Sequence, residues 1–110
     1  MKLSVRDGAL YADNLFFSYC EVTHGSDSLQ PGRYEVEARY SHHHRQDLPH
    51  VDGIGWVGPA NAPIDPPCSL VLGRVRGRHA VVPCPTFVVR LLAMLEAADE
   101  RGSSVSLVIE

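Results

Sequence analysis

The segment from Arg33 to Tyr40 alternates strictly between two residue types, and it constrains the fold more than any other part of the chain. One set of alternate positions is apolar or aromatic: Tyr34, Val36, Ala38 and Tyr40. The other set is charged: Arg33, Glu35, Glu37 and Arg39. A period of two residues predicts a β-strand with one buried face and one solvated face.

Shorter strand patterns surround this segment, and a single helical pattern lies near the end of the chain. The predicted strands cover residues 3–6, 9–12, 15–22, 54–57, 69–76, 80–82 and 105–109, and residues 41–46 are predicted to form a polar loop. A helix is predicted from about 85 to 101, because Pro85 suits a first helical turn and Gly102 suits the cap. The predicted fold is mainly β (α+β): a small antiparallel sheet or barrel, covered by one helix and completed by a closing strand.

The composition is that of one globular domain, residues 1–110, with 45% hydrophobic and 21% charged residues. A net charge of −3 argues against a nucleic-acid partner, since such proteins normally carry a basic excess. The sequence shows no signal-peptide pattern and no apolar run long enough to span a membrane. Three cysteines without a CxxC motif fit a reducing compartment, so we expect a cytoplasmic protein with no membrane partner.

Cys68 is the candidate nucleophile. It follows a loop with four prolines and directly precedes the strand that begins at Ser69. A reactive thiolate needs a base, and His50 is the nearest upstream histidine, with His79 and the histidines at 42–44 more remote. The alternative is a small buried hydrophobic residue, which is how most free cysteines behave.

Other residues are candidates for binding a ligand. Arg74, Arg76 and Arg78 alternate, so in a strand they share one face and could hold a carboxylate or phosphate; the alternative is a solvated face. Trp56 is a candidate for lining a pocket near the proline loop, with core packing as the alternative. Three adjacent histidines at 42–44 are too closely spaced for one metal ion, so we expect neither a metal nor another cofactor.

Three parts of the sequence together resemble a known family: residues 29–34, residues 49–73, and the terminal helix with its strand. The matching motifs are Pro31-Gly32-Arg33-Tyr34, Leu48-Pro49 with Val51, Ile54, the loop residues Gly58 and Asn61, and Cys68-Ser-Leu-Val-Leu-Gly73. They resemble a phage- and prophage-associated domain family of unknown function, whose fold is similar to a reduced L,D-transpeptidase catalytic domain. The resemblance implies a cysteine nucleophile paired with a histidine at the end of a strand, and it adds Asn61 to the candidate ligand-binding residues.

Two departures from that pattern fall at positions that the chemistry would need. Val57 stands where the family has its histidine, and Pro67 stands where the family has a glycine before the cysteine. Valine cannot take a proton, and proline has no N–H to donate to an oxyanion. These departures favour a protein that is not an enzyme.

The expected function is therefore that of a phage-type accessory protein in the host cytoplasm. It would be a non-catalytic module that binds or sequesters a small anionic ligand or a host protein. The first alternative is a cysteine-dependent peptidoglycan acyl-transfer or hydrolase-like enzyme that uses Cys68 with His50. The second alternative is a structural component of the virion.

Overall fold

A computed structural model describes residues 1–22, 30–42, 44–58, 69–76 and 80–110 of the chain. Nine strands and one helix are found in these ranges. In chain order they are β1 (Lys2–Arg6), β2 (Ala9–Ala12), β3 (Leu15–Val22), β4 (Gly32–Ser41), β5 (Gln46–Val51), β6 (Gly55–Gly58), β7 (Leu70–Arg76), β8 (Ala80–Pro83), α1 (Pro85–Glu100) and β9 (Val105–Ile109). The predicted mainly β fold with one helix and a closing strand is confirmed.

The strands close into a barrel. Eight of them follow the order β3-β2-β1-β9-β4-β5-β6-β7, and β7 pairs back with β3 to complete the wall. The remaining strand, β8, pairs with β7 outside this ring. The β1–β9 and β6–β7 pairings are parallel, whereas the other pairings among the described strands are antiparallel.

The barrel interior is filled by aliphatic side chains. Leu3 of β1 lies directly across from Leu107 of β9, and both are buried. Leu10, Cys20, Val36, Val51 and Leu72 complete much of the same core. The cavity left among them is only about 10 Å³, so this part of the interior is tightly packed.

The helix α1 packs one apolar stripe against the barrel. Its buried residues are Val88, Leu91, Leu95 and Ala98. Pro85 begins the helix, and Gly102 follows its end with a φ of 68°, a left-handed conformation that glycine adopts without strain. Within the described residues, no helix is long and apolar enough to cross a lipid bilayer.

Strand β5 is not predicted by the sequence pattern. Residues 41–46 were expected to form a polar loop, whereas β5 begins at Gln46 and pairs with β4 from Ser41↔Gln46 to Val36↔Val51. Pro49 is the reason that the strand was not predicted, because proline cannot donate a hydrogen bond to a neighbouring strand and usually indicates that a segment is not a central strand. Pro49 is nevertheless buried opposite Ala38.

Strand β4 buries only part of its predicted apolar face. Tyr34 is half-buried and Val36 is buried, but Ala38 is exposed and Tyr40 is 50% exposed. The predicted burial is therefore wrong from Ala38 onward. The physical reason is that β9 pairs with β4 only as far as Val36, so the remainder of β4 has β5 as its only neighbouring strand among the described residues and borders an open groove.

Candidate binding surface around Trp56

His50 and Trp56 are cross-strand partners on β5 and β6, so their side chains leave the same face of the barrel wall. Their ring centroids are 4.7 Å apart with an interplanar angle of 70°. Both side chains are half-buried. The structure thus brings together two residues that the sequence selected for separate reasons.

A second imidazole, that of His44, contacts the same indole. The ring centroids of His44 and Trp56 are 6.4 Å apart, at an angle of 64°. The His44 ring is positioned by Ser41 at the end of β4, whose Oγ lies 2.7 Å from Nδ1 of His44. The Ser41 hydroxyl also accepts a hydrogen bond from the backbone N–H of His44, at 3.3 Å.

His42 and His44 are therefore not simply solvated loop residues, as the sequence suggested. His42 packs edge-on against Tyr40, with ring centroids 5.0 Å apart, and His44 packs against Trp56. His43 lies outside the described residues. The sequence feature that could have indicated this arrangement is a serine three residues before a histidine. At the end of a strand, such a serine hydroxyl can hydrogen-bond to the imidazole and hold it in place.

Burial lowers the pKa of His50 below its ordinary value, and the nearby Arg39 guanidinium lowers it further. Asp52 and Glu37 act in the opposite direction. Because the protonated form is disfavoured, the His50 imidazole is neutral at pH 7 and has one nitrogen able to accept a proton or a hydrogen bond.

Next to this cluster lies a groove of about 720 Å³ between α1 and the open part of β4. Val36, Ala38, Leu95 and Val105 supply its apolar lining. Its charged lining consists of Glu35, Glu37, Asp52, Glu96 and Asp99, with Arg39 as the basic residue. Arg39 forms an ion pair with Glu37. We call this feature the acidic groove.

The described cysteines have contrasting environments. Cys20 is buried in the barrel, where burial and then the charge of Glu21 raise the pKa of its thiol to about 12. Cys84 directly precedes α1 and is partly exposed. Interaction with the backbone N–H of Thr86 lowers the pKa of the Cys84 thiol, with a smaller contribution from Arg74. Cys68 lies outside the described residues.

The remaining predicted site residues are dispersed or not described. Arg74 is exposed on β7. The backbone of Arg76 belongs to β7, but its side chain lies outside the described part of the structure, as do Asn61 and Arg78. Among the described residues, no group of three histidine, cysteine or carboxylate side chains could hold a metal ion.

Val57, which replaces the histidine of the resembled family, is buried in the core. His50 pairs with Trp56, the residue before Val57, so His50 and Val57 face opposite sides of the barrel wall. His50 therefore does not occupy the place of the missing histidine.

The fold and the surface together define a small packed β-barrel protein with an external groove beside an imidazole–indole cluster. Comparisons of the chain with protein-family models, with curated proteins and with solved structures find no match.

Proposed function

We propose that this chain is a non-catalytic binding module that captures a basic segment of a partner protein in the acidic groove. The observation that carries the proposal is the groove itself, where an apolar floor is surrounded by carboxylates. Its one arginine, Arg39, already pairs with Glu37. A partner protein is one of the two ligand classes expected from the sequence, and if the resemblance to a phage-associated family holds, that partner is a host protein.

The charges on α1 support this choice. Glu96 and Asp99 lie near the carboxyl end of the helix, and its last turn contains no basic residue. Carboxylates at that end interact unfavourably with the helix dipole. Negative charge placed where it opposes folding is expected at a functional surface, since activity and stability often conflict there.

The imidazole–indole cluster extends the groove. Glu37, which lines the groove, is the cross-strand partner of His50, and His50 contacts Trp56. A half-buried indole can pack against the aliphatic stem of lysine or arginine and attract its charged end. A basic segment that leaves the groove on this side would meet the Trp56 ring.

The proposal is tested by titrating the protein with a peptide of alternating arginine, lysine and leucine residues. Trp56 is the single tryptophan, so its fluorescence reports binding directly. We expect the double variant Glu96→Gln/Asp99→Asn to bind about tenfold more weakly, because each exposed charge contributes roughly 0.5–1 kcal/mol. Added salt should weaken binding to the unmodified protein more than to the variant.

Glu100→Gln is the matched control, because Glu100 lies on the same helix but does not line the groove. Equal affinities for the double variant and this control would overturn the proposal. The small anionic ligand expected from the sequence would instead be favoured by two results together. The protein would bind inorganic phosphate with an affinity that Arg74→Gln lowers, and it would not bind the peptide.

A cysteine-dependent acyl-transfer or hydrolase-like enzyme is the second candidate, and two observations favour it. The imidazole of His50 is held neutral and can accept a proton. Ser69, the residue after Cys68 in the chain, donates its backbone N–H to the carbonyl of Trp56 at 2.8 Å. The start of β7 therefore runs beside the cross-strand partner of His50.

A thiol-reactive probe separates the two candidates when its sites are mapped by mass spectrometry. An enzyme requires Cys68 to react faster in the folded protein than in urea, and His50→Gln to remove that difference. The labelling rates of Cys20 and Cys84 serve as internal references for that of Cys68. Burial should make Cys20 react slowly, whereas the lowered pKa of Cys84 should make it react readily. Our proposal expects Cys68 to react no faster in the folded chain than in the unfolded one.

A further inference from the structure

The outer face of β2 and β3 displays a group of exposed aromatic rings. Tyr11 and Phe16 are cross-strand partners, with ring centroids 6.1 Å apart. Phe16 and Tyr19 are 5.1 Å apart. Phe16 is 55% exposed and Tyr19 is 40% exposed. We call Tyr11, Phe16 and Tyr19 the aromatic face.

One more exposed apolar residue lies next to this surface. Val82 of β8 is 38% exposed, and its backbone lies over Gly73, where a Cβ atom would be 1.9 Å from the Val82 carbonyl oxygen. Because Gly73 is the cross-strand partner of Tyr19, this places Val82 beside the aromatic face.

Half of the large exposed apolar side chains of the described residues are thus gathered on one side of the barrel. Six such side chains are exposed in the described ranges, and three of them belong to this surface: Phe16, Tyr19 and Val82. Scattered exposed apolar residues need no explanation, but a contiguous group of this kind marks an interaction surface.

The partner docks on the side chains of this face. β3 pairs with β2 from Leu15 to Tyr19 and with β7 from Tyr19 to Val22, so each edge of β3 is already occupied over part of its length. The side chains of the face, and the charges at its margins, must therefore select the partner.

Those charges are opposite in sign and lie two strands apart. On β1, the Arg6 guanidinium lies 4.2 Å from the centroid of the Tyr11 ring. On β3, exposed Glu21 lies two residues beyond Tyr19 and opposite Val71 of β7. A surface that carries a cation and an anion beside an apolar group can pair with a copy of itself rotated by 180°, because the cation of each copy then meets the anion of the other.

We propose that the aromatic face is the interface of a symmetric homodimer of this chain. Aromatic side chains of the two copies pack at the centre, and Arg6 of each copy faces Glu21 of the other. Tyrosine, phenylalanine and arginine are enriched in such interfaces. The acidic groove and the Trp56 cluster share no residue with the aromatic face, so the dimer and the proposed function can be tested separately.

The test measures molecular mass by sedimentation equilibrium at concentrations up to hundreds of micromolar. We expect the native chain to approach twice its monomer mass of 12.1 kDa. Phe16→Ser should be monomeric, whereas Val89→Ser, at an exposed helix position 64% accessible to solvent, should dimerise normally. Arg6→Glu or Glu21→Arg alone should weaken dimerisation about tenfold or more, and the double reversal should restore it.

Trp56 fluorescence and circular dichroism confirm that each variant is folded. A native chain that stays monomeric over the whole concentration range would overturn the proposal. So would equal effects of Phe16→Ser and Val89→Ser. Failure of the double charge reversal to recover dimerisation would also overturn it, because the proposed symmetry requires that pairing.

Discussion

At the scale of single residues, His44 and His50 contact one indole ring but are held by different neighbours. His44 is fixed by the hydroxyl of Ser41, whereas His50 is placed by its cross-strand pairing with Trp56. The sequence was sufficient to select His50 and Trp56 as candidates. It could not show that they touch, since their contact depends on β5, and Pro49 concealed that strand.

The lowered pKa of His50 predicts a specific dependence of stability on pH. The folded state binds a proton at His50 less readily than the unfolded state, where the ordinary value is 6.5. The free energy of unfolding should therefore be fully maintained above that pH, and should fall as the pH is lowered from 6.5 towards the folded-state pKa. Urea titrations followed by Trp56 fluorescence at a series of pH values measure this fall.

His50→Gln should have a flatter profile over the same pH range, because glutamine does not titrate. His42→Gln is the matched control, since His42 packs against Tyr40 and not against Trp56. An unchanged profile for His50→Gln would show that the acid sensitivity arises at other groups.

At the scale of secondary-structure elements, local patterns were sufficient where one strand or helix carries its own signal. The bounds of α1 are read directly from the sequence, because Pro85 begins the helix and Gly102, with a φ of 68°, follows its end. The burial of β4 could not be read in the same way. Whether Ala38 and Tyr40 are covered depends on how far β9 extends beside them, which is a property of the pairing and not of β4.

The crossing of β7 and β8 predicts a strict requirement for glycine at position 73. A Cβ atom there would lie 1.9 Å from the carbonyl oxygen and 2.8 Å from the carbonyl carbon of Val82. Backbone atoms cannot move aside as a flexible side chain can, so Gly73→Ala should lower the free energy of unfolding by about 3 kcal/mol. Chemical denaturation measures this loss directly.

Gly102→Ala is the control for this prediction. Gly102 has a φ of 68°, and apart from its two chain neighbours no residue of the described chain has a heavy atom within 4 Å of the position that an alanine Cβ would take. Alanine there should therefore cost only about 1 kcal/mol, from the left-handed backbone alone. If both variants lost the same free energy of unfolding, the carbonyl of Val82 in β8 would not restrict the side chain at position 73.

At the scale of the whole molecule, the single helix and eight of the nine described strands were predictable, but β5 and the closure of the barrel were not. Closure depends on the β3–β7 and β1–β9 pairings, which join strands that are distant in the sequence. Periodicity shows that a segment has a face to bury, but carries no information on which distant strand will pair with it. The acidic groove was unpredictable for the same reason, since it is assembled from β4, the end of α1 and the start of β9.

The position of β9 also determines how the chain reaches this fold. β9 lies between β1 and β4, so strands from the two ends of the described chain must meet before the wall is complete. Local hairpins such as β1–β2 can form within microseconds, whereas closure must wait for this long-range step and should limit the folding rate. Until β9 inserts, β1 and β4 each present an unpaired edge, and this open barrel is the species most exposed to aggregation during synthesis.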